Sequence, residues 1–173
     1  MRASLPATIE LVIDVPDEPF YVLADPAQLG QVLANLVSNA LQALEQRGGR
    51  VAISLRRAES GVVLSVTDNG PGMDAEVQRR AFEPFFTTKP LGAGTGLGLS
   101  IVHGVVREHG GEVELRSAPG EGTTVVVHLP SGTALTAETP RRPHRAMGQG
   151  LRVLLVDDEA PIAKVAGEIL RES

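Results

Sequence analysis

The sequence predicts an α/β fold of the α+β kind, a two-layer sandwich in which helices cover one face of a mixed, largely antiparallel sheet. Segments with alternating apolar residues occur in pairs, as strands do, and two segments with apolar residues at helical spacing separate the pairs. Hydrophobic residues make up 42% of the 173 residues, with four Phe, one Tyr and no Trp, which favours an aliphatic core. The length allows one domain with a substantial core and a remainder.

Charge and cysteine content exclude several classes of protein. The net charge of −5 leaves no basic stripe for nucleic acid, and the absence of cysteine excludes disulfides and thiolate sites. No segment approaches about 18 uninterrupted apolar residues, and the N-terminus does not show the pattern of a signal peptide. We therefore expect a soluble, cytoplasmic chain that does not bind nucleic acid.

Six strands are predicted from alternation and turn signals: residues 8–15, 20–24, 50–57, 62–67, 112–116 and 123–129. The third and fourth form a hairpin around the turn at 59–61, and the last two are joined by the glycine-rich turn 118–122. Most neighbours in the sheet are therefore antiparallel.

The first long helix is predicted to begin at Asp25 as N-cap, with Pro26 at the first helical position and Gln28 completing a capping box. It is expected to run to about Arg47, before Gly48. Apolar residues at helical spacing are predicted to pack on the sheet: Leu29, Val32, Leu33, Leu36, Val37, Ala40 and Leu44.

The other side of this helix carries an uncharged polar stripe: Gln28, Gln31, Asn35, Asn39, Gln42 and Gln46. A solvated face normally carries Lys and Glu, which are better helix formers than Asn. One interpretation is an exposed face that happens to be rich in amides. The other is that the amide oxygen of Asn39 coordinates a hard cation beside phosphate oxygens.

The strand 62–67 ends in Asp68-Asn69-Gly70-Pro71-Gly72-Met73. This segment is either an ordinary turn or a place where a carboxylate enters a pocket and glycines let the backbone approach a planar ligand. Asp74 is expected to cap a short helix through Arg80.

Residues 82–90 contain three of the four phenylalanines and predict a loop rather than regular structure. The rings either pack under the loop or dock against a partner. Lys89 is either an exposed lysine or a cation that reaches a phosphate.

The segment 92–100 carries four glycines at alternate positions and leads into a helix predicted over residues 98–108. It is either a mobile linker or a loop that closes on a helix N-terminus, where backbone N–H groups bind phosphate. No GxxxxGK[ST] or GxGxxG motif is present, so the P-loop and Rossmann interpretations are excluded. The apolar residues expected to face the core are Leu99, Val102, Val105 and Val106.

Four motifs occur in the order found in a known family: Asn35-Leu36-Val37-Ser38-Asn39-Ala40, Asp68-Asn69-Gly70-Pro71-Gly72-Met73, Phe82-Glu83-Pro84-Phe85-Phe86 and Gly94-Thr95-Gly96-Leu97-Gly98-Leu99-Ser100. With these N, G1, F and G2 boxes, residues 7–130 resemble the ATP-binding catalytic domain of bacterial sensor histidine kinases. These kinases belong to the superfamily of gyrase B, Hsp90 and MutL, so the resemblance implies a Bergerat-type ATP-binding fold.

The resemblance also implies roles for individual residues. Asp68 would accept a hydrogen bond from the adenine amino group, Asn39 would bind Mg²⁺, and residues 83–97 would form an ATP lid, which we expect to be mobile near 89–94 without nucleotide. The nucleotide-binding residues are expected to be Asn35, Asn39, Asp68, Gly70, Gly72, Lys89, Gly94, Thr95, Gly96, Leu97, Gly98 and Thr123.

One position separates branches of the superfamily. Members that hydrolyse ATP carry a glutamate base one turn before the metal-binding asparagine, whereas this chain has Asn35, and an amide cannot accept a proton from water. Phosphoryl transfer to a histidine is therefore favoured over hydrolysis. Two alternatives are a non-catalytic nucleotide-binding module and an anti-sigma-type serine kinase.

The phosphoacceptor is expected to lie outside this chain. In the family an acidic residue normally follows the acceptor histidine, but the four histidines here precede Gly104, Gly110, Leu129 and Arg145. The implied partners are a dimerisation and histidine-phosphotransfer domain and a response-regulator receiver domain, in a homodimeric parent kinase. The chain alone is expected to bind Mg-ATP without phosphorylating itself.

The domain division follows from composition. Residues 1–130 are the predicted catalytic domain, 131–150 a linker, and 151–173 a buried strand followed by a helix. The acidic run that ends this strand contains Asp157 and Asp158 and resembles the start of a receiver domain, whose paired acids bind Mg²⁺. A chance acidic turn is the alternative.

Overall fold

The computed structural model describes residues 8–90 and 94–132. This part of the chain contains, in order, β1 (Ile9–Asp14), α1 (Pro26–Leu44), β2 (Gly49–Ala58), β3 (Gly61–Asp68), α2 (Ala75–Arg80), α3 (Gly98–Glu108), β4 (Glu112–Ala118) and β5 (Gly122–Pro130). None of these helices is both long and apolar enough to cross a membrane. The predicted receiver segment with Asp157 and Asp158, and the predicted linker from residue 133 onwards, lie outside the described residues.

The five strands form one sheet in the order β1-β2-β3-β5-β4. The edge strand β1 runs parallel to β2, and every other neighbouring pair is antiparallel. The predicted mixed, largely antiparallel sheet is thereby confirmed. The parallel pair arises because α1 is the crossover between β1 and β2, which returns the chain to the same end of the sheet.

The strand predicted over residues 20–24 is wrong. Only Val22 pairs, in a single bridge to Ser131, and the adjacent carbonyl of Tyr21 accepts from the Gly132 N–H at 2.9 Å. Residues 20–24 pair with the sheet only next to the end of β5. The backbone there offers partners for one bridge and not for the repeated pairs that make a strand. The Phe20 ring instead lies 5.2 Å from the guanidinium carbon of Arg57.

The predicted start of α1 is confirmed in one respect and wrong in another. Asp25 is the N-cap, and its Oδ1 accepts from the Ala27 N–H at 2.7 Å. The capping box with Gln28 does not form, because the backbone N–H of Asp25 donates to His109 Nε2 at 3.1 Å. His109, which is distant in sequence, thus accepts the hydrogen bond that the capping-box pattern assigned to Gln28.

The helix α1 ends at Leu44, before the predicted Arg47. Gly48 has a φ of 68°, and its N–H donates to the Leu44 carbonyl at 2.8 Å, which closes the helix with a left-handed residue. Asp74 caps α2, and α3 spans the predicted residues.

The core lies between the sheet and the helices α1 and α3. Its buried members from these helices are Val32, Leu36, Ala40, Leu44, Val102 and Val106, and from the strands Ile9, Val51, Val66, Val125, Val127 and Leu129. Leu33 was predicted to join them but is 38% exposed. The buried stripe of α1 repeats every four residues, and a residue one step further along the helix points about 100° away from it.

Gly122, at the start of β5, provides a test of this packing. Its φ is 84°, and a Cβ there would lie 2.0 Å from the Asp68 carbonyl oxygen. We expect Gly122→Ala to lower the free energy of unfolding by about 2 kcal/mol or more, measured by urea denaturation followed by circular dichroism.

Gly104→Ala is the matched control, because Gly104 lies in α3 and a Cβ at this position would meet no described atom within 4 Å. It should raise the free energy of unfolding by about 0.5–1 kcal/mol, the helical advantage of Ala. Equal effects of the two variants would contradict the close approach of β5 to β3.

Candidate functional site

A cavity of about 770 Å³ lies between α1, the ends of β3 and β5, and the segments that flank residues 91–93. The sequence-predicted site residues that line it are Asn35, Asn39, Asp68, Gly72, Lys89, Gly94, Thr95, Gly96, Leu97, Gly98 and Thr123. Groups that are distant in the chain are therefore brought together around one space. Gly70 is the predicted site residue that does not line it.

Asp68 is the buried carboxylate of this cavity, with 6% of its surface exposed. It lies at the end of β3, opposite Thr123 of β5, and its Oδ1 accepts from the Gly70 N–H at 2.9 Å. Burial raises the pKa of Asp68, while backbone hydrogen bonds from Gly70 and Thr123 lower it and offset part of the effect. The result is a hydrogen-bond acceptor held in a poorly solvated place.

Gly70 acts behind the cavity rather than in its wall. A Cβ on Gly70 would lie 2.7 Å from Asp68 Oδ1 and 3.2 Å from the Ala43 Cβ. Glycine therefore lets this backbone turn under the carboxylate and donate to it.

Ser117 on β4 holds the loop that follows β3. Its hydroxyl accepts from the Met73 N–H at 2.9 Å and donates to the Gly122 carbonyl at 2.7 Å. Gly72 lies in this loop with a φ of 67°. A Cβ at this position would lie 1.9 Å from the Ala118 carbonyl oxygen, so the position requires glycine. The sequence interpretation missed Ser117, because it lies between the predicted strand 112–116 and the predicted turn 118–122, and nothing in the sequence marks it as a site residue.

Asn35 and Asn39 face the beginning of α3. A Cβ on Gly98 would lie 3.3 Å from Asn39 Nδ2 and 3.7 Å from Asn35 Oδ1, so both amides lie close to the backbone at the start of the helix. Asn35 Nδ2 is buried and has no hydrogen-bond partner among the described residues. A buried donor at the wall of a polar cavity fits an oxygen ligand.

The N-terminus of α3 supplies further donors. Its N-cap, Leu97, makes no side-chain capping bond, so the first-turn N–H groups keep their capacity to bind an anion. Thr95 Oγ1 accepts from the Leu97 N–H at 3.3 Å and shapes the approach to this turn. Among the residues that the structure describes, no three His, Asp or Glu side chains form a metal-binding group. A cation here would therefore depend on amide and ligand oxygens.

The glycine segment and the phenylalanine cluster meet at Phe85 and Gly96. The Phe85 N–H donates to the Gly96 carbonyl at 2.9 Å, and both residues are left-handed, with φ values of 67° and 66°. A Cβ on Gly96 would lie 2.4 Å from the Phe85 carbonyl carbon. The contact between Phe85 and Gly96 therefore brings together the two ends of the segment that begins at Phe85 and ends at Gly96.

The phenylalanines differ in their environments. Phe82 and Phe86 are half-buried. The centroid of the Phe82 ring lies 5.4 Å from that of the His103 ring, and the Arg80 guanidinium carbon lies 4.2 Å from the centroid of the Phe86 ring. Phe85 is 75% exposed, so packing beneath the loop is wrong for this ring.

Lys89 reaches across to α1, where its Nζ donates to Gln42 Oε1. Its backbone N–H donates to Thr87 Oγ1 at 3.2 Å. Gln42 and Thr87 line the cavity but were not predicted as site residues. The position of Gln42 in the polar stripe was the signal that could have identified it. The mobility expected near 89–94 stays a prediction.

A comparison with protein families agrees with this geometry. Residues 24–133 match the family described as histidine kinase-, DNA gyrase B- and HSP90-like ATPase. The chain belongs to this family.

Relatives and solved structures narrow the comparison to sensor kinases. The chain is 39% identical over 140 residues to the C4-dicarboxylate transport sensor protein DctB of Pseudomonas aeruginosa, covering 80% of this chain and 23% of that protein. It is similar to the mycobacterial sensor histidine kinase MprB, at 35% identity and a TM-score of 0.63, covering 72% of this chain and 83% of that structure. It is also similar to full-length ShkA in complex with AMPPNP, at 34% identity and a TM-score of 0.64, covering 73% of this chain and 26% of that structure.

These matches establish an ATP-binding catalytic domain homologous to those of sensor histidine kinases. The chain spans about a quarter of the length of DctB.

Burial of Asp68 predicts a pH-dependent effect on stability. Because the pKa of Asp68 is raised in the folded state, the folded protein holds a proton that the unfolded chain has released, and stability falls as the pH rises through this window. Asp68→Asn should therefore increase the free energy of unfolding at pH 7. The increase should shrink as the pH falls through the raised pKa towards about 3.9, the ordinary value for aspartate.

Urea denaturation of both proteins at a series of pH values measures this difference. Asp17→Asn is the control, because Asp17 is exposed and its replacement relieves no burial. A wild-type protein more stable than Asp68→Asn at pH 7 would show that the hydrogen bonds outweigh desolvation.

Proposed function

We propose that this chain is the nucleotide-binding part of a two-component sensor kinase, which binds Mg-ATP and transfers its γ-phosphoryl group to a histidine on a dimerisation domain outside the chain. The observation that carries the proposal is the joining of a buried carboxylate, an amide pair and an uncapped helix N-terminus in one cavity. The AMPPNP complex of ShkA, a similar structure, supports the choice of ATP.

Asp68 is proposed to select adenine. A carboxylate can only accept, and the exocyclic amino group of adenine donates, so the pair is complementary in a place with little water. Gly72 and Thr123, which line the same end of the cavity, would pack beside the base. Gly70 would hold the carboxylate from behind through its N–H.

The phosphate chain is proposed to lie along the start of α3. Gly94, Thr95, Gly96, Leu97 and Gly98 form this wall of the cavity. The uncapped N–H groups would donate to phosphate oxygens, and Asn35 Nδ2 would find in them the acceptor that the described residues do not provide. Lys89, which lines the same cavity, would add a positive charge.

Asn39 is proposed to bind Mg²⁺ through its amide oxygen, together with phosphate oxygens, as suits a hard cation. When bound, Mg²⁺ would neutralise negative charge on the phosphates. The tight approach of Gly98 would fix the Asn39 amide against the helix start.

Transfer, rather than hydrolysis, follows from the missing base. Among the described residues that line the cavity, Asp68 is the one carboxylate, and none is a histidine. Asn35 cannot accept a proton from water. A nucleophile that needs no strong base, such as a neutral imidazole, fits this site better than water does.

The partners and domain division are also proposals. Residues 1–130 would form the catalytic domain, 131–150 a linker, and 151–173 the first strand and helix of a receiver domain, in which Asp157 and Asp158 would be magnesium ligands. The acidic pair directly after a run of Leu and Val supports this interpretation. The parent would be a homodimer that phosphorylates a receiver domain, with this part in the cytoplasm, where ATP is available.

Calorimetry with Mg-ATP tests the site. Asp68→Asn should weaken binding by about fivefold or more, because a mismatched buried polar contact costs about 1–3 kcal/mol. Asn39→Asp should also weaken it, because a carboxylate would repel the phosphates. Asp17→Asn, at an exposed position, is the control and should bind as wild type does. Unchanged affinity in both site variants would refute the assignment.

Labelled ATP tests the reaction. The chain alone should gain no label on histidine, and label should appear on a separately supplied dimerisation domain that carries the acceptor histidine. Phosphohistidine is acid-labile, so acid treatment should remove the label. An acid-stable label on a serine substrate, without transfer to histidine, would favour the serine kinase instead.

A further inference from the structure

Gln42 and Lys89 form a contact between α1 and the segment before the glycines. Gln42 lies three residues after Asn39, so both side chains project from the same side of α1. The Lys89 ammonium donates to Gln42 Oε1, and both residues line the cavity.

Lys89 carries the positive charge of the cavity wall. Of the described residues that line it, none other is Lys or Arg. The side chain passes close to the glycine segment, since a Cβ on Gly94 would lie 3.0 Å from Lys89 Cδ. The lysine stem thus passes beside Gly94 while the ammonium contacts α1, although Lys89 belongs to a loop.

We propose that Gln42 is a positioning residue for Lys89, and that it fixes the ammonium in the wall of the cavity before a polyphosphate binds. This inference rests on the proposed function, because it gives Lys89 a phosphate partner. Gln42 itself would not contact the nucleotide.

The chemistry of the pair indicates that Gln42 positions the Lys89 ammonium and does not compete with phosphate for it. An ammonium has three N–H donors, and the contact with Gln42 uses one, so two remain for phosphate oxygens. A neutral amide also leaves the positive charge intact, whereas a carboxylate at this position would neutralise it. A lysine has a flexible side chain, and ordering it before binding removes an entropic cost from the binding step.

A double-mutant cycle on the full chain tests the proposal. Gln42→Ala should weaken Mg-ATP binding about three- to tenfold, the range expected for losing the pre-ordering of one flexible side chain. It should leave the affinity for adenosine unchanged, because adenosine has no phosphates. In a Lys89→Met background, Gln42→Ala should have no further effect on ATP affinity.

Two further variants separate position from charge and from general effects. Gln42→Glu should bind ATP more weakly than Gln42→Ala, because its carboxylate keeps the contact with Lys89 but cancels the charge. Gln31→Ala is the matched control, since Gln31 lies in α1 on the same polar stripe, is exposed and does not line the cavity. It should bind ATP as wild type does, and circular dichroism should show that all variants fold.

Several outcomes would overturn the proposal. An equal loss from Gln42→Ala with and without Lys89 would mean that Gln42 contacts the nucleotide directly. Tighter ATP binding by Gln42→Ala would mean that Gln42 restrains Lys89 away from the ligand. Unchanged ATP binding in Gln42→Ala would refute the positioning role of Gln42 and leave the proposed function standing. A wild-type chain that does not bind ATP would refute both the proposed function and this inference.

Discussion

The burial of the Asp68 carboxylate is the constraint on which the site depends. Aspartate side chains are seldom buried without a partner, but here 6% of the Asp68 surface is exposed, and backbone hydrogen bonds from Gly70 and Thr123 offset part of the lost hydration. Thr123 stands opposite Asp68 only in the observed register of β3 and β5. Gly122 permits that register, because any side chain there would collide with the Asp68 carbonyl. The sheet register and the acceptor site are therefore fixed by the same contacts.

The second half of the site depends on the packing of α1 against α3. Val32, Leu36, Ala40 and Leu44 hold α1 on the core, which directs its amide side towards Gly98. Far from Gly98 along α3, the Asp25 N–H donates to His109 Nε2, while His109 Nδ1 lies 2.8 Å from the Val105 carbonyl oxygen. Both bonds are satisfied by a neutral imidazole with its proton on Nδ1. The two helices are thus joined near both ends of α3, which keeps the amide pair aligned with the uncapped helix start.

Local signals predicted most of the helices and strands because each depends on neighbours in sequence. The cap at Asp25, the glycine at Gly48 and the strand alternation have their causes within a few residues. The errors have distant causes. Residues 20–24 are not a strand because the chain near Ser131 offers a single bridge, and the capping box fails because His109 takes the donor. Leu33 is exposed because the buried stripe of α1 is narrower than its apolar pattern suggests.

By itself the sequence determined the fold class, the order of the four motifs and the residue types able to bind a nucleotide, because these are properties of pattern and spacing. Tertiary structure alone decided how those residues meet. It put Gly70 behind Asp68 rather than in the cavity wall, brought Ser117 under the loop, and set Lys89 against Gln42. Such contacts depend on strand register and helix packing between segments far apart in the chain, and no local pattern encodes the distance between two side chains that only folding brings together.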